Sequence, residues 1–208
     1  MKKIYFIFLC LLSFVHAQNL DHDTIDLKET VLYDKAKFRL KRIGPDTKTK
    51  TILVGLKADF NLKNDSMPKI VEGLAVYINA PKKVFTIKQL NFNFSNSIED
   101  TLKLKVDLLS NLNDKPNQSI LSEPIYLNLT QKNQDIDQTY HLNLEYLNLK
   151  YKEEFYVYVE LLNQKDKPIY FSGGMFNKCF FTTESSKLWQ KAPLGISPAI
   201  NADLLIKK

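Results

Sequence analysis

The chain has 208 residues, 44% hydrophobic and 25% charged, with a formal net charge of +6. That balance suits a single globular domain of generous size, and the absence of internal repeats or low-complexity tracts excludes a repeat array. The cations are lysines spread along the whole length, with arginine only at 39 and 42, so the clustered basic stripe of a nucleic-acid binder is missing.

The first segment reads as an address. Lys2 and Lys3 precede the apolar run Ile4–Val15, and Val15-His16-Ala17 supplies small residues at the −3 and −1 positions. This predicts a signal peptide over 1–17, cleaved between Ala17 and Gln18. The run is too short for a stable membrane-spanning helix, and no second long apolar segment follows, so the mature chain is expected to lack a transmembrane segment. Cys10 follows bulky Leu9 inside the run, unlike a lipoprotein cysteine. Loss of the leader leaves Cys179 without a disulfide partner in the chain, so apolar burial alone must hold the fold. Flanked by Phe176, Phe180 and Phe181, Cys179 reads as a buried small hydrophobe.

Residues 18–35 are expected to form a partly extended N-terminal segment, with Thr24–Tyr33 and Ala36–Ile43 able to extend and Gly44-Pro45-Asp46 breaking the chain. Ile52, Val54, Leu56, Ala58, Phe60 and Leu62 alternate with a second set, the clearest strand pattern, closed by the loop Asn64–Pro68. Leu74, Val76 and Ile78 repeat the pattern. The inward set then changes parity, from Phe85 and Ile87 to Leu90, Phe92 and Phe94, which predicts a β-bulge near Lys88-Gln89. Leu102–Leu108 alternates next, followed by an expected polar loop over Asn111–Asn117. Ile125–Leu129 extends, and Gln131–Asp137 is a second polar loop.

Tyr140, Leu142, Leu144 and Tyr146 are predicted to share one face, opposite His141. Phe155, Val157, Val159 and Leu161 face one way and Tyr156, Tyr158 and Glu160 the other. Asn163–Pro168 turns the chain into Ile169–Phe171, Gly173-Gly174 is expected to form a tight turn or bulge, Trp189 to occupy a loop, and Ala199–Ile206 to be the last strand. Only Ser119–Ser122 offers a helical turn. Many short alternating strands separated by Gly, Pro, Asn and Asp define an all-β fold. One-sided strands in this number need two facing sheets, so the expectation is a two-sheet antiparallel β-sandwich, jelly-roll-like, filling a single domain over 18–208.

Catalytic constellations are scarce. Beyond the leader, histidine occurs only at 22 and 141, and no nucleophile elbow accompanies either. Two histidines without a cysteine cluster make no ordinary zinc site. Asp135 and Asp137 could offer oxygens to calcium, but no calcium-loop motif surrounds them. The sequence points to no cofactor, no metal and no catalytic residues. Glu160 reads as a rim salt-bridge partner, although a pair of well-placed carboxylates, as in a glycosidase-like hydrolase, is the alternative. The binding argument rests on aromatics. Tyr156 and Tyr158 on an exposed sheet face, beside Tyr140 or Tyr146, would stack on sugar faces or anchor a protein interface, and Trp189 in a loop between Lys187 and Lys191 could do likewise.

Several stretches carry a family likeness across about residues 69–206. Glu72–Ile78 resembles an opening strand and Ile87–Phe94 an I-x-x-L-x-F strand. Leu104–Leu108 with Lys115-Pro116-Asn117 and Ile120-Leu121 is similar to a strand entering a G-K-P-G-x-x-L loop, with Asn117 in place of the last glycine. Phe155–Glu160 resembles an F-x-V-x-x-E strand, and Phe171–Phe176 with Trp189 completes the set. The chain thus resembles a family of secreted and envelope β-sandwich proteins of Bacteroidetes named for a carboxypeptidase-like regulatory domain. Leu20–Asp65 is too short for the additional N-terminal domain many members carry. The resemblance implies a fold and an exported location, in the periplasm, on the outer-membrane surface or outside the cell, and no peptidase activity. Thr24, Ser66 and Thr101 sit in Asp-Ser/Thr-apolar triplets like those O-glycosylated in Bacteroidetes. The expected function is a non-catalytic envelope module that binds a glycan or a partner protein, or serves as a structural subunit of an envelope assembly.

Overall fold

The computed structural model describes residues 37–58, 70–162 and 168–208. The leader and its cleavage point, the segment 18–35, Thr24, Ser66, the pair Phe60 and Leu62, the loop Asn64–Pro68 and most of the turn after Asn163 lie outside the described residues. Those described belong to one compact unit, Asp34–Lys208.

Alternating apolar residues fold into β1 (Phe38–Ile43), β2 (Leu53–Leu56), β3 (Val71–Ile78), β4 (Phe85–Asn93) and β5 (Leu102–Leu112). There follow β6 (Lys115–Ser119), β7 (Ile125–Leu129), β8 (Thr139–Asn143), β9 (Lys150–Tyr151) and β10 (Phe155–Leu161). The chain finishes with β11 (Ile169–Gly174), β12 (Cys179–Thr183), β13 (Ser186–Lys191), β14 (Ser197–Pro198) and β15 (Ile200–Lys207). Single 3₁₀ turns occur at Gln131–Asn133, Glu145–Leu147 and Pro193–Gly195. The region Ser119–Ser122 is strand end and bend, with no helical turn.

All strand pairs are antiparallel. The first sheet runs β1-β15-β4-β8, with β9 also on β4, and the second runs β13-β12-β3-β10-β5-β6, with β7 also on β5. The chain crosses repeatedly between them, giving the jelly-roll-like sandwich that the alternation implies. A third, small sheet, β14-β11-β2, was not foreseen. It joins the end of β4 through the bridge Phe94↔Phe171, whose rings stack 4.8 Å apart.

The core lies between the two large sheets. Ile87, Leu90, Phe92, Ala202, Leu204 and Ile206 from the first meet Leu74, Val76, Val106, Leu108, Phe155 and Val157 from the second. Phe85 and Phe155 stack across the gap at 6.1 Å. The bulge falls where the parity change places it: Asp203 pairs with Gln89 but Leu204 with Ile87, leaving Lys88 as the extra residue.

Four local expectations are corrected by backbone geometry. The strand beginning near Ile52 stops at Leu56, because Lys57 turns into the left-handed region at φ 57°. The expected loop over Asn111–Asn117 is a tight hairpin. Asn113 and Asp114 take φ 50° and 61°, the geometry that two-residue hairpins favour, and Pro116 falls in edge strand β6, where a missing N–H is tolerated. Trp189 lies in β13, not in a loop. Gly173-Gly174 continues β11 and pairs with Pro198 and Ser197. Gly173 serves close approach instead: its N–H donates to the Ile52 carbonyl at 2.7 Å, and a Cβ would stand 2.8 Å from Ile52 Cγ2.

Gly173→Ala is therefore expected to push β2 away from β11 and destabilise the fold by about 1–3 kcal/mol. Urea denaturation checks this, with the midpoint falling while its slope is unchanged.

Candidate functional site

The sandwich presents two outer faces of opposite chemistry. On the first sheet, the residues that alternate with the core set are polar: Gln89, Asn91 and Asn93 from β4, Asn201 and Asp203 from β15, Thr139 and His141 from β8. Asn91 and Asn201 are fully buried, and a network of hydrogen bonds makes that tolerable. Asn91 Nδ2 donates to Asn201 Oδ1 at 2.8 Å and to Asp203 Oδ2 at 3.2 Å. Asn201 Nδ2 donates to the Pro45 carbonyl at 3.2 Å, Asn93 Nδ2 donates to the Thr47 carbonyl at 3.2 Å, and Thr139 Oγ1 donates to Asn93 Oδ1 at 2.9 Å. These bonds fasten the segment after β1 across the sheet.

Arg42 closes the network at one end, with Nε and one terminal nitrogen on the two Asp203 oxygens at 2.8 and 3.0 Å. Burial opposes ionisation of Asp203, but the Arg42 and Asn91 donors prevail and hold its carboxyl below the usual range. His141, expected as a solvent-facing strand residue, is exposed yet engaged. Nδ1 lies 2.6 Å from Asn91 Oδ1 and Nε2 3.2 Å from Asp135 Oδ2. Asp135 Oδ1 accepts from the backbone N–H of Asp137 and Thr139, and Asp137 pairs with Lys48. Among the described residues, no group of three or more His, Cys, Asp or Glu side chains is arranged to hold a metal ion.

The outer face of the second sheet is aromatic, and here the expected binding residues divide. Tyr140 does not join the others. It sits on β8 in the opposite sheet, half-buried against the main core with its ring 6.1 Å from Phe92. Tyr156 is on the aromatic face but fully buried, its hydroxyl donating to the Asp114 carbonyl at 2.8 Å. The sheet side opposite the core is thus no bare row of tyrosines: Tyr156, Phe180, Ala75 and Leu109 form a small core of their own. Tyr146, expected beside Tyr140, lies in a 3₁₀ turn and is exposed.

Tyr77, Tyr158 and Trp189 pack on that secondary core and stay half-exposed. Tyr77 lies 5.4 Å from Tyr156, while Tyr158 and Trp189 meet edge to face at 5.5 Å and 88°. Gly73 makes room for Tyr158, since a Cβ there would stand 2.6 Å from its ring and hydroxyl. Lys178 Nζ stands 4.4 Å from the Tyr77 ring centre, and Lys105 5.6 Å from that of Tyr158, within cation–π range. Burial, reinforced by Glu154 and Asp114, pushes the Tyr77 hydroxyl up to about 12, and burial likewise raises Tyr156 and Tyr158. The rings are neutral at ordinary pH and present donors at their edges. Tyr77 was not singled out from the sequence, although its alternation with Val76 and Ile78 marks it for this outer face.

Other expected residues are placed as follows. Glu160 pairs with Lys105 at 3.2 Å, as a rim residue would. Cys179 is buried, and desolvation pushes its thiol up to about 12. Phe180 and Phe181 are buried beside it, but Phe176 is not. Thr101 is exposed just before β5. A cleft of 380 Å³ is lined by Lys82, Asn111, Lys152, Glu153 and Glu154. Glu153 is exposed to water, unlike the desolvated acid of a glycosidase pair. Among the described residues no helix is long and apolar enough to cross a membrane. No family model, curated protein or solved structure matches the chain.

Two outcomes follow. The depressed folded-state carboxyl of Asp203 makes its contribution to stability complete above the unfolded value of about 3.9 and lost as pH falls through the lower folded value. Asp203→Asn should cost about 1–3 kcal/mol at neutral pH and flatten the acid limb of a stability-versus-pH curve. Cys179 should resist iodoacetamide in the native protein at pH 8 and react only on unfolding, as read by mass spectrometry.

Proposed function

We propose that the chain is an exported, non-catalytic β-sandwich module of a bacterial envelope that binds a glycan or a partner protein through Tyr77, Tyr158 and Trp189. The observation that carries this reading is the half-exposed, perpendicular Tyr158–Trp189 pair on the outer face of the second sheet. Two rings at right angles form a corner, where a pyranose or an apolar side chain can lie against one face and the edge of the other. The neutral hydroxyls and the ammonium groups of Lys105 and Lys178 add polar contacts beside the rings. Such a pairing of ring face and polar edge is what glycan and protein recognition draw on. The leader-like segment 1–17 and the resemblance over 69–206 support the exported location.

The second reading is a carboxylate-dependent hydrolase with Glu153 and Glu154 of the cleft as its acids, and the exposure of Glu153 counts against it. Glu154→Gln would abolish any glycosidase activity of that kind and leave binding at Trp189 intact. Edge strand β13, with Leu188 exposed, is the feature that supports a structural subunit, and light scattering would report the assembly.

A glycan array combined with pull-down from envelope extract tests the main reading. Trp189→Ala is expected to weaken the captured ligand by about tenfold or more, corresponding to the 1–3 kcal/mol typical of a buried ring contact, with little change in thermal midpoint. Absence of any ligand and any partner under native conditions would count against it.

A further inference from the structure

The connection from β11 to β12 meets the turn Pro193–Gly195 at one end of the second sheet, where the Asn177 N–H donates to the Gly195 carbonyl at 2.9 Å. Phe176 has φ 63° here and Leu194 has φ 53°. Left-handed backbone is strained for bulky L residues and is ordinarily left to glycine or asparagine. Both side chains nevertheless stand in water, Phe176 90% and Leu194 72% exposed, with Met175 exposed beside them. Strain is retained, and large apolar surface is left wet, at two positions that line one shallow hollow of 470 Å³. Neither residue packs into either core cluster, so folding accounts for neither.

The charges around this end have a definite bias. Lys178 and Lys191 line the hollow itself. The antiparallel register brings the β5–β6 hairpin to the same end, where Lys178 reaches Asp114 at 2.7 Å and Lys115 pairs with exposed Leu112. Lys82 and Lys152 stand around the neighbouring cleft with Glu153 and Glu154. Two ammonium groups thus line the hollow with the apolar residues, and over the hollow, the hairpin and the cleft together five ammonium groups stand against three carboxylates.

We propose that this tip docks the domain onto an anionic lipid surface, with Phe176, Leu194 and Met175 entering the interfacial layer and the lysines meeting the headgroups. A bilayer offers both chemistries in the right order, negative charge at the surface and apolar chains beneath. A partner protein would need a socket matched to side chains that stand free, and a nucleic acid has no apolar layer to receive them. The inference is independent of the Tyr158–Trp189 face, and Trp189→Ala leaves it unchanged.

The test is co-sedimentation of the chain beginning at Gln18, the form expected after leader cleavage, with vesicles of phosphatidylcholine alone or mixed equally with phosphatidylglycerol. Wild type should bind the mixed vesicles, more weakly as salt is raised, and should bind phosphatidylcholine alone far less. Phe176→Gly with Leu194→Gly should weaken binding by about tenfold or more. Its thermal midpoint should be undiminished, because glycine accepts positive φ without strain. Should that variant lose stability, Phe176→Asn with Leu194→Asn gives the same reading with side chains that tolerate the conformation. Failure of wild type to bind mixed vesicles, equal binding to both compositions, or undiminished binding by a folded double variant would each overturn the proposal. Capture of a protein by this tip without any vesicle binding would overturn it as well.

Discussion

The extra residue at Lys88 decides which side of β4 faces the core. Before it, Phe85 and Ile87 point inward; after it, Leu90 and Phe92 do. Without the bulge, period-two geometry would carry Gln89, Asn91 and Asn93 into the sandwich and expel the apolar set. With it, three amides line the outer face of the first sheet, opposite Asn201 and Asp203 of β15. The bonds from Asn91 to Asn201 and Asp203 and from Asn93 to Thr47 can form only because that row lies outside. One backbone irregularity therefore supports both the apolar interior and the polar clasp over the first sheet.

The second sheet solves its outer face by different means. Among the described residues no segment is bonded across it as the chain after β1 is bonded across the first, and its own aromatic side chains shield it. Tyr156 fills the centre, Phe180 and Tyr77 flank it, and Tyr158 lies across Gly73 to reach Trp189. Shielding and recognition here use the same rings. Those at the centre are sealed and structural, while those at the margin keep one face in water and can exchange that water for a ligand.

Strain and exposure coincide at the tip that carries Phe176 and Leu194. A folded chain gives up stability to hold bulky residues at positive φ, and burying their side chains would offset that cost; here they remain in solvent. The same end of the sheet gathers lysines, one of which, Lys178, also lies over Tyr77. The aromatic face and the apolar tip thus share a border. A domain held at a surface by the tip would present Tyr77, Tyr158 and Trp189 alongside that surface.

The sandwich, the bulge and the burial of Cys179 could be read from the residues alone, because each follows from local alternation or from the polarity of near neighbours. Alternation tells which residues share a face but not what covers that face, so Tyr156 was assigned to an exposed side that its neighbours Tyr77 and Phe180 in fact seal. It also says nothing of which strands pair, and pairing is non-local. Tyr140 was grouped with Tyr158, yet β8 joins β4 in one sheet while β10 joins β3 and β5 in the other. His141 looked solitary for the same reason, since its partners Asn91 and Asp135 reach it through the ladder and a folded loop. Positive φ at Lys57, Phe176 and Leu194 has no signature in residue type, because glycine and asparagine are the residues that announce it. The sequence by itself determined two apolar-lined sheets and their inward sets. Only the tertiary structure, through strand order and a few left-handed residues, decided which aromatic rings meet and which apolar side chains are left facing water.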